Sequence, residues 1–227
     1  MIRSDKLDMS DLTLETLKTV VGDFVKEIGT APISELYGIT DDEAVSGYVE
    51  QSFHHWLRSR FTYAQGGSAS GMNFPQLGVE LKVTSIRRPQ SICPFRDASQ
   101  KVYGLGYHLL ILIHEKNDDP ATRAAYLYFP HAIFVSRERT ADYQTTRGLL
   151  EILGRDGNTE DVISFLEERN LPLDEIGRQR LAEKILSERP ELGYLTVSVA
   201  WQWRLQYSRV IKTALTEEVL GIEKLHE

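Results

Sequence analysis

The stretch Asn73–Thr84, which reads NFPQLGVELKVT, decides the fold of this chain. Its centre, residues 78–86, begins at a glycine and alternates apolar with polar side chains, which predicts a short β-strand. Because side chains alternate faces along a strand, we expect Glu80 and Lys82 to stand side by side, about 6–7 Å apart. A carboxylate and an ammonium group fixed in this way form either a simple ion pair or half of a hydrolytic metal site.

The size and composition of the chain limit its class. With 227 residues, of which 41% are apolar, it is long enough for one large domain with an ordinary hydrophobic core. Its one cysteine, Cys93, allows no intramolecular disulfide, which favours a reducing, intracellular setting. The longest aliphatic run, residues 109–113, is too short to cross a bilayer, and the first residues lack the apolar core of a signal peptide. The sequence therefore predicts a cytoplasmic protein with no membrane partner.

Charge is distributed unevenly along the chain. The net charge is −7, but residues 51–110 carry seven basic side chains against two acidic ones. This positive segment includes Glu80 and Lys82, and a positive surface around a carboxylate suits a phosphodiester substrate. Chance clustering on a solvated face explains the same counts equally well, so charge alone leaves both interpretations open.

The periodicity of the chain predicts a mixture of helices and strands. The predicted helices cover residues 10–28, 41–60, 142–153, 159–169, 173–188 and 210–225, and the predicted strands cover 78–86, 108–114, 124–129, 132–136 and 195–208. This order predicts an α/β or α+β fold in a single domain over residues 1–227. We expect its core at about residues 40–136, followed by a helical and long-strand elaboration at 140–227.

Two segments of the C-terminal part offer candidate DNA-contacting surfaces. The predicted strand at 195–208 carries Gln202, Arg204 and Gln206 on one face, and these side chains suit base edges and phosphates. A solvated sheet face over a Trp-rich core is the alternative. The preceding two helices form a helical hairpin, which is either a DNA-reading helix-turn-helix or a plain packing unit.

Residues 73–82, NFPQLGVELK, resemble the active-site strand of the PD-(D/E)xK nuclease superfamily, and most of all the mismatch-repair nickase MutH and its type II restriction endonuclease relatives. The resemblance covers about residues 45–115. A Glu-x-Lys triplet alone is common, but the lead-in before it, the apolar strand after it and a preceding helix with Glu50 make the pattern more specific. The resemblance implies a restriction-endonuclease-like central mixed β-sheet flanked by helices, here with a helical C-terminal elaboration.

The resemblance also implies a Mg²⁺ cofactor and roles for individual residues. Glu80 matches the metal-binding carboxylate, and Lys82 matches the catalytic lysine. Glu50 looks like the helix-borne acid that supports the metal site. Lys101 or Arg96 corresponds loosely to a second basic residue that MutH-like enzymes place further along the chain.

One position of the candidate metal site departs from the family pattern. The family places an aspartate seven residues before the glutamate, where this chain has Asn73. An amide oxygen can touch a cation, but it contributes no negative charge and binds Mg²⁺ less well than a carboxylate. Three interpretations stay open: a natural variant that uses Glu50 as its second carboxylate, an engineered Asp→Asn form that leaves bound DNA uncut, or a relative that only binds DNA.

The resemblance therefore implies a type II restriction endonuclease that hydrolyses phosphodiester bonds of double-stranded DNA at a specific sequence. The expected DNA contacts come from the polar face of the last strand and from basic residues of the positive segment: Arg87, Arg88, Arg96 and Lys101. We expect a homodimer, because twofold protein symmetry matches a palindromic site. The alternatives are a MutH-like mismatch-repair nicking enzyme and a catalytically silent DNA-binding relative.

Overall fold

A computed structural model describes residues 9–66, 72–93, 97–198 and 203–226, without the side chains of residues 93 and 203. The fold is α/β, with a central sheet flanked by helices and a largely helical C-terminal part, so the predicted fold class is confirmed. The helices are α1 (Leu14–Thr30), α2 (Asp42–Arg58), α3 (Gln100–Tyr103), α4 (Tyr143–Gly154), α5 (Thr159–Glu168), α6 (Glu175–Ser187) and α7 (Ser208–Thr216). The strands are β1 (Val79–Ser85), β2 (Gln90–Cys93), β3 (His108–Asp119), β4 (Ala124–Val135), β5 (Thr196–Ser198), β6 (Trp203–Gln206) and β7 (Ile222–Lys224). No helix in the described ranges has the length and apolar character needed to cross a membrane.

The chain divides into two compact units. The first contains Met1–Arg88, Leu110–Phe134 and Lys224–Glu227, and the second contains Pro89–Leu109 and Val135–Glu223. The expectation of one nuclease domain over the whole chain stays a prediction.

The first unit is built on a sheet with the strand order β1-β3-β4-β7, in which only the last residue of β7 belongs to this unit. The core of the unit joins α1 and α2 to the sheet through fully buried side chains that include Val21, Val49, Phe53, Leu81 and Leu112. Burial of a side chain of this size contributes about 1.5–3 kcal/mol to stability. The helix α2 is therefore fixed against β1, and this packing positions the polar residues on both elements.

Side-chain caps set the start of both long helices of the first unit. The hydroxyl of Thr13 accepts a hydrogen bond from the N–H of Thr16, and the carboxylate of Asp41 accepts from the N–H groups of Glu43 and Ala44. Because Thr13 occupies the capping position, α1 begins at the next residue and not at residue 10, as the apolar periodicity predicted. The predicted start of α2 at residue 41 is one residue early, because Asp41 is its cap and the helix begins at Asp42.

The strands β3 and β4 are longer than predicted. The predicted break at Pro130-His131 is wrong, because β4 runs through both residues without interruption. Proline removes one N–H donor from a strand, but its φ is compatible with extended backbone. The strand β3 likewise continues past residue 114, where the predicted strand ended, to Asp119.

The second unit contains an antiparallel sheet with the order β2-β6-β5. The prediction of one fourteen-residue strand at 195–208 is wrong, because β5 and β6 are separate strands that pair with each other, with Val197 opposite Leu205. A chain reversal keeps the period of two when both arms place alternate residues in the core, so periodicity does not reveal it. The predictions for α4, α5 and α6 are confirmed to within two residues at each end.

The end of the chain also differs from its prediction. The helix predicted for residues 210–225 ends at Thr216, and Ile222–Lys224 forms the strand β7. Between them Gly221 has a φ of 88°, a left-handed conformation that does not continue a helix.

Candidate active site

A tight turn brings Asn73 next to the start of β1. The N–H of Phe74 donates to the carbonyl of Val79 at 3.0 Å, and the N–H of Val79 donates to the carbonyl of Phe74 at 3.2 Å. Between these residues Gly78 has a φ of 62°, which a residue without a Cβ adopts without strain. The turn therefore folds Asn73 back onto Glu80, seven positions later in the chain.

Asn73, Glu80 and Lys82 form a connected group on this turn and strand. The backbone N–H of Asn73 donates to Oε2 of Glu80 at 2.9 Å, and the Oδ1 of Asn73 accepts from the N–H of Leu81 at 2.9 Å. The Nζ of Lys82 donates to Oε1 of Glu80 at 2.8 Å. The expected neighbourhood of Glu80 and Lys82 on one face of β1 is confirmed.

Glu50 reaches the same group from α2. The Nδ2 of Asn73 donates to Oε1 of Glu50 at 2.5 Å. Burial raises the pKa of Glu50, the hydrogen bond from Asn73 opposes this rise, the negative charge of Glu80 adds to it, and the charge of Lys82 opposes it. Glu50 is thus a carboxylate whose ionised form lacks a full counter-charge, and a nearby divalent cation would supply that charge.

The oxygen donors of Glu50, Asn73 and Glu80 fit a divalent metal ion. The side chains of Glu80 and Lys82 are 13% and 16% exposed, so solvent reaches the group although it is largely covered. Proteins usually hold Mg²⁺ through one or two carboxylates, and water and substrate phosphates complete the coordination. Glu50 and Glu80 provide two carboxylates, and Asn73 provides an amide oxygen. Within the described ranges no group of three or more His, Cys, Asp or Glu side chains could hold a metal.

A cluster that sequence reasoning missed supports the turn. The ring of His54 lies 5.0 Å from the ring of Phe74, and Nδ1 of His54 lies 2.8 Å from the hydroxyl oxygen of Tyr63. Burial lowers the pKa of His54 to about 4, with a smaller contribution from the charge of Arg58, so the imidazole is neutral at pH 7. The spacing in the sequence could have placed His54 near the site, because His54 follows Glu50 by four residues and shares its face of α2.

The predicted DNA-contacting residues occupy different environments. Arg87 and Arg88 are exposed in the turn that follows β1. Lys101 is 1% exposed within the second unit, and this burial argues against contact of its ammonium group with a phosphate.

The remaining predicted contacts belong to the second unit. Arg204 and Gln206 are both exposed on β6. Gln202 and Arg96 lie outside the described residues. All of these DNA contacts stay predictions.

Comparison with known proteins adds the family. A family described as type II restriction enzyme NspV matches residues 11–224. The chain belongs to the NspV family of type II restriction enzymes. A curated type II restriction enzyme NspV from Nostoc sp. (strain ATCC 29411 / PCC 7524) is 50% identical over 210 residues, which cover 92% of this chain and 96% of the relative. No solved structure matches the chain.

Membership of the NspV family confirms the prediction of a type II restriction endonuclease, and hence of a site-specific deoxyribonuclease. Restriction enzymes of this type generally use a divalent metal ion. The family match extends well beyond the segment that carried the PD-(D/E)xK resemblance, because it includes the helices and short strands of the C-terminal part.

Proposed function

We propose that this chain hydrolyses phosphodiester bonds of double-stranded DNA at a specific sequence with Mg²⁺, through a PD-(D/E)xK-type site. The convergence of Glu50, Asn73, Glu80 and Lys82 supports this proposal most directly. These side chains come from a helix, a turn and a strand, yet a continuous set of hydrogen bonds of 2.5–2.9 Å connects them. A simple surface ion pair would not require the second carboxylate, or the asparagine whose backbone N–H and side chain connect the two carboxylates.

The residues of the site divide the chemistry among them. Glu80 and Glu50 would hold the metal, which would activate the attacking water and stabilise charge on the phosphate. Lys82 uses one N–H donor on Glu80 and keeps two for the attacking water or a phosphate oxygen. The site is largely covered, so these interactions operate at a lower effective dielectric than in bulk water and are correspondingly stronger.

Asn73 acts in this proposal as a natural and functional part of the site. Its amide uses both ends, since Oδ1 accepts from the N–H of Leu81 while Nδ2 donates to Glu50. An aspartate at this position cannot make the second bond, because an ionised carboxylate has no donor. It would also place a third negative charge beside Glu50 and Glu80. Asn73 therefore links two carboxylates that would otherwise repel each other before a cation binds, Glu50 through its side-chain amide and Glu80 through its backbone N–H.

We further propose that the enzyme acts as a homodimer and that Arg87 and Arg88 contact the DNA backbone. Two copies related by a twofold axis would present two sites to the two strands of a palindromic sequence. Exposed guanidinium groups contribute the salt-dependent part of DNA affinity. Sedimentation of the chain with and without a duplex would measure the number of copies bound.

The deciding experiment incubates the wild-type chain, Asn73→Asp and Glu80→Gln with a mixed-sequence plasmid and Mg²⁺, and then sequences any DNA ends. We expect the wild type to make double-strand breaks at one sequence, and Glu80→Gln to make none. Linear product distinguishes double-strand cleavage from the single nicks of a MutH-like enzyme.

The Asn73→Asp arm separates the interpretations of that position. Cleavage by the wild type supports a functional asparagine. Cleavage by Asn73→Asp alone would mean that the asparagine disables the site, and it would also exclude a scaffold that can only bind DNA. Cleavage by neither protein, while both bind DNA, would contradict the proposed hydrolysis.

A further inference from the structure

The sheet β2-β6-β5 presents two rows of side chains on one face. In the register of the sheet, Gln206 lies opposite Gln90 on one side and Thr196 on the other. Residues directly opposite each other in antiparallel strands share a face, and so do residues two positions apart on one strand. The second row therefore lies on the same face as the first and consists of Ile92, Arg204 and Ser198.

This face is the solvent side of the sheet. Val197, Leu205 and Tyr207, which alternate with the residues of the rows, are buried. Arg204 and Gln206 on the central strand are exposed, and Ile92 is 54% exposed. The neighbouring residues Thr196 and Ser198 have short side chains, so the longer side chains of β6 project beyond them.

The chemistry of the two rows suits base edges better than an ordinary solvated surface. None of the six residues is acidic, although the chain as a whole carries a net charge of −7. Arginine binds O6 and N7 of guanine with two donors, and glutamine pairs in a similar way with N6 and N7 of adenine. An exposed isoleucine among polar neighbours offers the apolar contact that a thymine methyl group accepts.

We propose that this face reads base edges in the major groove of duplex DNA, with Arg204 and Gln206 as the specificity-determining residues. The inference rests on the proposed function, because only a sequence-specific nuclease needs such a surface. The two residues are two strand positions apart, about 6.6–6.8 Å. This is close to two base-pair steps of about 3.4 Å, so they address base pairs at different positions of the recognition sequence.

The test uses the full chain and duplexes that carry the sequence found at the cut ends, together with all single base-pair substitutions. We measure kcat/KM for each duplex. The ratio of kcat/KM for the cognate duplex to that for a substituted duplex gives the preference of the enzyme at the substituted position. We expect Arg204→Ala to reduce the preference at one base pair by about 5- to 150-fold, and Gln206→Ala to do so at another. Arg204→Lys keeps the charge but loses the two-donor geometry, so it should lose the same preference while retaining general DNA affinity.

Arg155→Ala is the matched control, because it removes one exposed positive charge at the end of α4 in the same unit and outside the helical hairpin. We expect Arg155→Ala to leave the preference at every position unchanged. Circular dichroism and the melting temperature confirm that each variant folds.

Two results would overturn the base-reading role. One is an unchanged preference at all positions in Arg204→Ala and Gln206→Ala. The other is a decrease in kcat/KM in Arg204→Ala that is equal for all duplexes, together with normal values in Arg204→Lys. That result would identify Arg204 as a phosphate contact. If Glu80→Gln abolishes cleavage while Arg204→Ala and Gln206→Ala keep normal sequence preferences, the proposed nuclease function stands and only this inference is overturned. Should the wild type cut nothing, selection of bound duplexes from a random pool tests the same variants without catalysis.

Discussion

Lys82 in the first unit and Lys101 in the second each lie near a carboxylate, but their surroundings differ. The ammonium group of Lys82 contacts Glu80 at 2.8 Å, and both side chains remain partly exposed. Lys101 is 1% exposed, and burial lowers its pKa, an effect that the negative charge of Asp142 only partly offsets.

The two carboxylates differ even more than the lysines. Asp142 is 2% exposed and accepts from the N–H and hydroxyl groups of Thr145 at 2.9 and 2.7 Å, and from the N–H of Val197 at 2.8 Å. Glu80 accepts one hydrogen bond on each oxygen and keeps free lone pairs. In the proposed site, a pair of opposite charges is reactive because it has unused bonding capacity and access to solvent. Where the same groups are saturated and dry, they stabilise the fold.

The largest expected effect is a difference in the rate of DNA cleavage between variants of the two lysines. Lys82→Met should reduce the rate of DNA cleavage by about 10²- to 10⁴-fold, because it removes the group that orients water and phosphate. Lys101→Met should leave the rate nearly unchanged. Single-turnover cleavage of a duplex with the cut sequence measures both rates, and equal losses in the two variants would break the distinction.

The next effect is a loss of stability when the buried carboxylate of Asp142 is removed. Asp142→Ala should lower the free energy of unfolding by about 3–5 kcal/mol, because it leaves buried N–H groups without acceptors and removes the carboxylate that Arg169 contacts at 3.7 Å. Asp174→Ala is the control, since Asp174 also caps a helix but is exposed, and its loss should cost about 1 kcal/mol. Urea unfolding measures both, and a similar loss in the two variants would contradict the role assigned to burial.

A smaller effect concerns the pH dependence of cleavage. Glu50 must be ionised to hold Mg²⁺, and burial raises its pKa. The rate should therefore begin to fall at a higher pH than for an ordinary glutamate, by about tenfold per pH unit below the apparent pKa. A higher Mg²⁺ concentration should move this acid limb to lower pH, because the cation competes with the proton. Rate profiles at two Mg²⁺ concentrations check this, and an acid limb that does not move would remove Glu50 from the metal site.

The smallest expected effect is an increase in stability when Glu50 is replaced by a neutral residue that cannot support cleavage. The pKa of Glu50 is higher in the folded state than its usual 4.5, so the folded state binds the proton more tightly, and stability falls as pH rises through the folded pKa. At pH 7 the ionised carboxylate therefore opposes folding. Glu50→Gln should raise the free energy of unfolding by less than about 1 kcal/mol in the absence of metal, while it abolishes cleavage. The gain should shrink as the pH is lowered, and thermal melts across pH would show whether it does.

The sequence predicted the elements that depend on local signals. The alternation around Glu80 and Lys82 predicted β1, and the predicted start of α2 lies one residue from the observed start at Asp42. The contact between Glu50 and Asn73 was not predictable from spacing, because it depends on how α2 packs against the turn. Charge counting also grouped Lys101 with Lys82, since a count along the chain does not show which side chains point into a core.

The turn at Gly78 has a consequence for how sequences of this family can vary. Its two backbone hydrogen bonds fix the length of chain between Asn73 and Glu80. Insertion or deletion of one residue there would rotate Asn73 away from both glutamates, even if every reactive side chain were retained. The turn thus sets the spacing between Asn73 and Glu80. We expect a change in its length to inactivate the enzyme as fully as the loss of a proposed metal ligand.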